Sequence, residues 1–500
     1  MTTTHLSTSK PINTRAIMIV VCIALAAVVA AMSSLNVALP DIARATHASS
    51  TQLAWIVDAY SLIFASFLLL AGAIGDRYGR RKTLIAGLAI FGIGSVVAMT
   101  ATSAEELILL RGILGLGAAL VMPATLSTIT GTFPADKRTQ AVGVWAGVAG
   151  GSAILGLLSS GVLLEFFSWR SVFGLNVALA ASALIAAWRI VPESADPDAP
   201  RLDIGGAVLS IAGLVVLVYS IIEAPEAGWT SSRTLIGIVG GLVILALFIL
   251  FELRNKAPML DPRIFAHRGL SAGSLSIFMQ FFAFFGFIFV VLQYLQLVRG
   301  GSALMSAIQM LPMAAVMMPS ARLSPTLVEK FGTRRVCVTG LVLVAAGLLV
   351  LSQLDVGTSY WLMLAGLVPL GIGMGTAMTP ATSAITGALP ASQQGVASAM
   401  NDLSREVGGA LGIAVLGSLL TQGYRNNLEL PGLPAEMVGR ARESFAGATH
   451  AGGQIAAHAD TAFVSGLQMA LVAGSVAVLI AAVAVGLLLP RGERIAVDDQ

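Results

Sequence analysis

Residues 16–40 run for 25 consecutive positions without a charged side chain. About 20 apolar residues are enough, as an α-helix, to cross the roughly 30 Å hydrocarbon core of a bilayer. The run is too long for the apolar core of a signal peptide, so we expect a retained membrane helix. Similar charge-poor windows predict further helices at 53–75, 83–103, 107–127, 140–164, 171–190, 204–222, 234–252, 270–295, 304–323, 336–354, 361–386, 396–421 and 463–489.

Composition supports a membrane protein and argues against other classes. Of the 500 residues, 56% are hydrophobic and 11% are charged, and the mean hydropathy is +0.86. A soluble chain of this length could not bury so much apolar surface. No lysine follows a glycine, so there is no Walker A loop, and no two histidines have metal-ligand spacing. We expect a protein that is not an enzyme, with no metal or other cofactor and no nucleic-acid partner.

The distribution of lysine and arginine predicts the orientation of the chain in the membrane. With the N-terminus in the cytoplasm, 20 of the 29 basic residues lie on the inner side, seven lie outside and two lie within the membrane. The positive-inside rule therefore favours this orientation, and fourteen crossings return the C-terminus to the inner side. We expect a multi-pass protein of the cytoplasmic membrane, surrounded by the lipid bilayer and functioning as a monomer.

A charged segment between predicted helices 2 and 3, here named the charged loop (residues 75–82), has a second copy. Residues 329–335 repeat residues 76–82 in charge sign, aromatic and glycine, 253 positions later, except that Thr333 replaces one arginine. After predicted helices 4 and 12, residues 129–135 and 385–391 also match, at an offset of 256. Two matches at nearly the same offset indicate an internal duplication.

The duplication predicts the architecture. Helices 1–6 correspond to helices 9–14, and helices 7 and 8 form an insert between them. The expected fold is an all-α polytopic membrane protein with fourteen transmembrane helices: two pseudo-symmetric six-helix bundles plus two inserted helices. The expected domains are an N-terminal bundle at 1–200, the inserted helices with their linkers at 201–262, and a C-terminal bundle at 263–500.

Two charged residues fall inside predicted helices of the N-terminal half. Asp58 lies in helix 2 and Arg111 in helix 4, at similar depth. An ionised group in hydrocarbon costs about 3 kcal/mol or more, so each side chain should face a cavity or a partner. One interpretation is a structural Asp58–Arg111 ion pair. The other is that the pair, or Asp58 alone, takes up a coupling proton.

Predicted helix 13 carries Asp402, Arg405 and Glu406. Asp402 is three residues before Arg405 and four before Glu406, so these side chains can meet on one helix face. One acid would neutralise Arg405 and leave the other to bind protons or a cation. The alternative is that all three lie among the lipid headgroups at the inner helix end.

Predicted helix 5 is rich in glycine, at positions 143, 147, 150, 151, 156 and 161. Small residues four apart, such as Gly143 with Gly147 and Gly147 with Gly151, let neighbouring helices approach closely. We expect tight packing along this helix, and we interpret its glycine-lined surface as one that moves.

The charged loop resembles the loop between helices 2 and 3 of the major facilitator superfamily of transporters. Residues 35–40, residues 55–60 and Arg111-Gly112 with Gly115 and Gly117 are similar to the 14-helix drug:proton antiporter branch, most of all to exporters of quaternary ammonium compounds and other drugs. The resemblance implies that Arg111 serves proton transfer. It also implies a cytoplasmic gate formed by Asp76, Arg77, Gly79, Arg80 and Arg81. In the same way it implies an antiporter motif formed by Gly147, Gly151, Gly156 and Gly161.

The chain departs from that branch at two positions. It has Ala31 where the family usually has an aspartate in helix 1, which removes one candidate for protonation. It has Leu157 after Gly156, where the antiporter motif normally reads Gly-Pro, which removes a helix kink.

The resemblance implies a secondary active transporter that exports amphipathic organic compounds, including cationic drugs, in exchange for protons by alternating access. Its expected partners are a small-molecule substrate and protons. One alternative is an exporter of a specific endogenous metabolite or lipid without the standard proton coupling. Another, of a different class, is a membrane sensor or scaffold that transports nothing.

Overall fold

The computed structural model describes residues 13–195, 202–255, 258–389, 394–430, 434–450 and 453–489. Within these residues the regular structure is helical, and fourteen helices are long and apolar enough to cross a membrane. The helices are α1 (Thr14–Thr46), α2 (Ser50–Tyr78), α3 (Arg80–Ala98), α4 (Ala104–Thr132), α5 (Ala135–Phe166), α6 (Arg170–Ile190), α7 (Ile204–Ala227), α8 (Ser232–Arg254), α9 (Arg268–Gln293), α10 (Ala303–Phe331), α11 (Thr333–Leu351), α12 (Tyr360–Gly387), α13 (Gln394–Asn427), α14 (Ala435–Glu443), α15 (Phe445–His450) and α16 (Gly453–Leu488).

The predicted fourteen membrane helices are confirmed, with α16 as the last of them, but several run past the predicted ends. Helix α1, for example, continues beyond the predicted end at 40 to Thr46. Its last turns carry Asp41 and Arg44, which form an ion pair with each other. A charge-free window finds the segment in hydrocarbon and misses helical turns that extend into the polar interface.

The two halves pack their helices in the same order. In the N-terminal half, α2 contacts α4, α1 contacts α5 and α6, and α3 contacts α4 and α6. In the C-terminal half, α10 contacts α12, α9 contacts α13 and α16, and α11 contacts α12 and α16. Every one of these pairs maps onto its counterpart when α1–α6 are matched in order to α9–α13 and α16. The expected pseudo-symmetry of the two six-helix bundles is confirmed.

Helices α7 and α8 pack differently from each other. Helix α7 contacts both halves, through α2 and α13. The Trp55 indole donates to the Glu223 carboxylate at 2.9 Å, and the Ser418 hydroxyl donates to the Ile221 carbonyl at 2.7 Å. Helix α8 packs against α7, and most of its apolar side chains are exposed. Because such a surface is suited to lipid, α8 lies at the periphery of the bundle.

The glycine of the charged loop has a conformational reason to recur in the second copy. Gly79 and Gly332 both end a helix and begin the next, with φ of 120° and 82°. A residue with a Cβ rarely adopts positive φ, so glycine is favoured at both sharp turns. The duplicated sequence therefore encodes a duplicated turn between α2 and α3 and between α10 and α11.

The two halves touch near the C-terminal end of α1. There the Gln296 amide donates to the Val37 carbonyl at 2.9 Å, and the Ser444 hydroxyl donates to the Ala48 carbonyl at 3.2 Å. Gly161 of α5 lies against α10, and a Cβ at this position would stand 2.9 Å from Leu304 Cα. These contacts close the space between the halves at this end of the molecule.

At the opposite end, the N-terminal part of α5 borders open space. Gly143, Gly147 and Gly150 are exposed, and a Cβ on any of them would meet no atom of the described residues within 4 Å. The three glycines share one helix face because they are spaced by four and three residues. In the described part of the chain, the space between the halves is therefore closed at one end and open at the other.

Candidate functional site

A central cavity lies between α1 and α5 of one half and α9 and α10 of the other. The space between atoms here amounts to about 600 Å³, a figure that includes space open to solvent. Its wall is made of aliphatic, aromatic and methionine side chains, together with Ser33 and Gly150: Ala153, Ile154, Leu157, Leu158, Phe284, Phe285, Ile288, Ala307, Met310, Leu311, Met313, Ala314 and Met317. A pocket with such a wall suits an apolar, aromatic ligand.

The residues of this wall were not identified from the sequence. Phenylalanines cluster in α9 and methionines recur at three- and four-residue spacing in α10. In a soluble protein these patterns would mark a ligand surface, because methionine adapts its shape to different partners. In a membrane helix they are hard to distinguish from lipid-facing or core residues.

Arg111 is buried in the N-terminal half, at 1% exposure, and contacts two neighbouring helices. Its Nε donates to the Ile56 carbonyl of α2 at 2.9 Å, and one terminal nitrogen donates to the Ala31 carbonyl of α1 at 3.5 Å. The guanidinium carbon lies 4.2 Å from the centre of the Tyr60 ring. The other terminal nitrogen has no hydrogen-bond partner among the described residues.

Asp58 is fully buried, and neither carboxylate oxygen has a hydrogen-bond partner among the described residues. The Asp58–Arg111 ion pair, one of the two interpretations of the sequence, is not formed in this structure. Arg111 contacts Ile56 and Tyr60, each two residues from Asp58, and two residues correspond to about 200° around an α-helix. The carboxylate therefore points away from α4, and equal depth in the membrane did not bring the two charges together.

The acidic cluster of α13 forms as the spacing predicts. Arg405 lies 3.8 Å from Asp402, and its guanidinium carbon stands 4.7 Å from the centre of the Phe281 ring. Glu406 is 4% exposed, and one of its carboxylate oxygens has no hydrogen-bond partner among the described residues. Because Asp402 and Glu406 are both buried, the structure disfavours the alternative in which they lie among lipid headgroups.

The charged loop is bound to the end of α6. Asp76 forms an ion pair with Arg80 at 2.9 Å, and the Arg80 amide donates to the Ser194 carbonyl at 2.9 Å. The Arg81 amide donates to the Glu193 carboxylate at 3.2 Å, and the Arg81 guanidinium donates to the Trp188 carbonyl.

Two further residues of the charged loop have separate surroundings. A Cβ on Gly79 would stand 2.8 Å from the carboxylate carbon of Glu193. The Arg77 guanidinium lies 5.9 Å from the centre of the Tyr78 ring. All these contacts of the loop lie within the N-terminal half.

The four glycines of the predicted antiporter motif divide into two groups. Gly147 and Gly151 border open space, because a Cβ on either would have no atom of the described residues within 4 Å. Gly156 packs against α1, where a Cβ would stand 2.5 Å from Ser33 Oγ and 2.9 Å from Ala30 Cα. Gly161 packs against Leu304 of the other half, so these two glycines mark sites of close helix approach.

Comparisons with known proteins agree with this architecture. The sequence model of the Major Facilitator Superfamily matches residues 21–413. The multidrug efflux pump LfrA of Mycolicibacterium smegmatis is 35% identical over 91% of this chain and 92% of its own length. The tetracenomycin C resistance and export protein of Streptomyces glaucescens is 33% identical, over 92% of this chain and 90% of its own.

Further relatives and a solved structure extend the match. The methyl viologen resistance protein SmvA of Salmonella typhimurium is 36% identical over 82% of this chain and 83% of its own. A bacterial homologue of the human lysosomal transporter Spinster, solved in an inward-facing, unoccupied conformation, aligns with a TM-score of 0.67. It covers 96% of this chain and 97% of its own at 18% identity, which supports the fold alone.

Proposed function

The chain belongs to the Major Facilitator Superfamily, and we propose that it exports amphipathic organic compounds, drugs among them, in exchange for protons. The observation that carries this proposal is the central cavity between two matching halves, closed at one end and open at the other. The names of its relatives, which include multidrug efflux and antibiotic resistance proteins, support drugs as substrates.

The proposed mechanism is alternating access. The substrate enters the central cavity from the end that borders the exposed glycines of α5, which the distribution of basic residues assigns to the cytoplasm. The halves then rock about the cavity, so that the contact of Gln296 with Val37 breaks and the open end closes. Gly161, which packs against Leu304, lies where the two halves must separate.

Proton coupling is assigned to buried carboxylates of α2 and α13. Asp58 has no hydrogen-bond partner among the described residues, and Glu406 has one unpartnered oxygen, so each can exchange a proton without first breaking an ion pair. Asp402 is the weaker candidate because it pairs with Arg405. Arg111, held by carbonyls of α1 and α2, is the cation whose field acts on protons in the N-terminal half.

The remaining assignments follow from the same architecture. The cytoplasmic gate is formed by Asp76, Arg77, Gly79, Arg80 and Arg81, and its bonds to the end of α6 hold it in the open arrangement. The proposed domain division is 1–200, 201–262 and 263–500, with a monomer in the cytoplasmic membrane as the functional unit. The inserted helix α7 braces α2 and α13 from one side, and α8 packs against α7.

A dye-efflux assay in a host that lacks its own drug exporters tests the proposal. Cells that express the protein should lose a preloaded lipophilic dye faster than cells with an empty vector, and an uncoupler should abolish the difference. Equal loss of dye in the two strains, with the protein present in the membrane, contradicts an exporter. Efflux that persists with the uncoupler would contradict proton coupling but not export.

A further inference from the structure

Among the residues that the structure describes, those that line the central cavity carry no ionisable side chain. Its only polar side chain among the described residues is Ser33, whose hydroxyl donates to the Ala30 carbonyl of its own helix at 3.2 Å. The remaining wall is aliphatic, aromatic or methionine. A permanent positive charge placed here would lose its hydration without meeting a carboxylate.

A positive charge lies behind the aromatic wall. Phe284 and Phe285 line the cavity, and both rings contact Phe281, at centroid distances of 6.5 Å and 5.9 Å. The far contact of Phe281 is Arg405, at 4.7 Å from its ring centre. The Arg405 guanidinium therefore already interacts with Phe281. The Phe281 ring contacts the two rings that an incoming cation would meet in the cavity.

The buried acids described above lie outside this wall. Asp402 and Glu406 belong to α13, and Asp58 belongs to α2, whereas the wall comes from α1, α5, α9 and α10. Asp402 is also neutralised by Arg405. A cationic substrate in the cavity therefore finds no carboxylate among the described lining residues, and attraction to the aromatic rings offsets only part of its lost hydration.

We propose that this transporter recognises substrates through an uncharged aromatic or aliphatic body and selects against compounds with a fixed positive charge at the central cavity. The inference rests on the proposed function and names the substrate class of the same site. Neutral compounds gain the full benefit of apolar burial there. Met310, Met313 and Met317 adapt to bodies of different shape, which favours broad specificity within that class.

A pair of compounds of the same shape separates charge from size. In 1-neopentylnaphthalene and (1-naphthylmethyl)trimethylammonium, a carbon atom of the first is replaced by a positively charged nitrogen in the second. Binding of both, in tritiated form, is measured on the purified full-length protein. Ala153→Phe fills the cavity, whereas Leu155→Phe is the control because its side chain is exposed on the opposite face of α5. Specific binding is defined as the binding that is lost in Ala153→Phe and kept in Leu155→Phe.

We expect the neutral compound to bind at least about tenfold more tightly than the quaternary one. Equal or tighter specific binding of the quaternary compound overturns the proposal, and so does binding that Ala153→Phe leaves unchanged. Ala314→Asp provides an independent check, because a carboxylate in the wall should shift the preference towards the cation. Its uncharged counterpart Ala314→Asn should not, and an equal shift in both variants counts against the role of charge.

The same compounds distinguish this inference from the proposed function. Protein in proteoliposomes is tested for movement of the neutral compound in response to an imposed proton gradient. Selective binding without movement would contradict export while the charge preference stands. Movement of both compounds at equal rates and affinities would support export and overturn the charge preference.

Discussion

The guanidinium of Arg111 stacks on the ring of Tyr60, with 4.2 Å between the guanidinium carbon and the ring centre. The Tyr60 hydroxyl in turn donates to the Val28 carbonyl of α1 at 2.9 Å. The buried cation of α4 is therefore held by an aromatic face and by backbone carbonyls. This arrangement links three helices of the N-terminal half, and no carboxylate of the described residues forms an ion pair with the cation.

Substitution of Tyr60 separates the ring from the hydroxyl. Tyr60→Phe keeps the aromatic face and should cost about 1 kcal/mol for the lost hydrogen bond. Tyr60→Leu also removes the cation–π contact and should cost about 1–2 kcal/mol more. The thermal unfolding midpoint of the purified protein in detergent should therefore fall further for leucine than for phenylalanine. Equal midpoints for the two variants would show that the ring does not hold Arg111.

Asp58→Asn should leave the protein abundant and folded but abolish substrate-induced proton movement in proteoliposomes. The carboxylate has no described partner, so asparagine removes a costly buried charge without leaving another group stranded. Glu406→Gln and Asp402→Asn are the matched comparisons for the other half. Normal proton movement per substrate in Asp58→Asn would transfer the coupling role to Glu406.

The same variant tests how Asp58 and Arg111 are related. If the two residues formed an ion pair, Asp58→Asn would strand Arg111 and lower the abundance of the protein, and adding Arg111→Gln would restore it. We expect no such rescue, because the two side chains leave α2 and α4 in directions that do not meet and the structure holds no bond between them. A double variant more abundant than Asp58→Asn would reveal a pair that forms in another conformation.

Asp76→Asn should lower the transport rate without lowering the amount of protein in the membrane. The change takes away the carboxylate that holds the Arg80 guanidinium at 2.9 Å and leaves that cation free to repel its neighbours in the charged loop. Asp41→Asn is the control, since Asp41 pairs with Arg44 within α1 at the other end of the molecule. Dye-efflux rates per unit of protein should fall for position 76 alone.

Gly156→Ala and Gly147→Ala should differ sharply, although both glycines belong to the predicted antiporter motif. A Cβ at position 156 would stand 2.9 Å from the backbone of Ala30 and would force α1 and α5 apart, at a cost of about 1–3 kcal/mol. Position 147 has room for a methyl group. The unfolding midpoint should drop in the first variant and stay constant in the second, and a drop in both would show that open space at position 147 closes in another conformation.

Cysteine labelling tests the orientation. With Cys22 and Cys337 replaced by alanine, Ala195→Cys after α6 should resist an impermeant thiol reagent in intact cells, whereas Thr230→Cys between α7 and α8 should react. Both positions are exposed, so the difference reports sidedness. Permeabilised cells should label at both, and the opposite pattern in intact cells would reverse the proposed topology.

The membrane helices were predictable because the hydrocarbon core requires a minimum helix length and excludes charged side chains. Both features are visible in the sequence of residues 16–40 and of the other charge-poor windows. The two bundles were predictable because the charged loop is repeated. The Asp402–Arg405 contact was predictable because residues three apart on one helix always lie close together. In each case the relevant distance is set within one segment.

The relation between Asp58 and Arg111 could not be predicted in the same way. Their depths follow from sequence position, but the direction in which each side chain leaves its helix depends on how α2 and α4 are rotated against each other. The cavity wall was missed for a related reason. Leu157 and Met313 face the cavity while Leu155 faces away, and all three are apolar.

The peripheral position of α8 and the bridging position of α7 show what is needed for a pair of helices to be inserted between two bundles by gene rearrangement. An inserted segment that crosses the bilayer an odd number of times would turn every following helix upside down and destroy the correspondence between the halves. A pair of crossings preserves parity, so the second bundle keeps the sidedness that its own sequence specifies. Of the two inserted helices, α7 must then acquire side chains that pack against the two bundles. Helix α8 needs little more than α7 and lipid as neighbours.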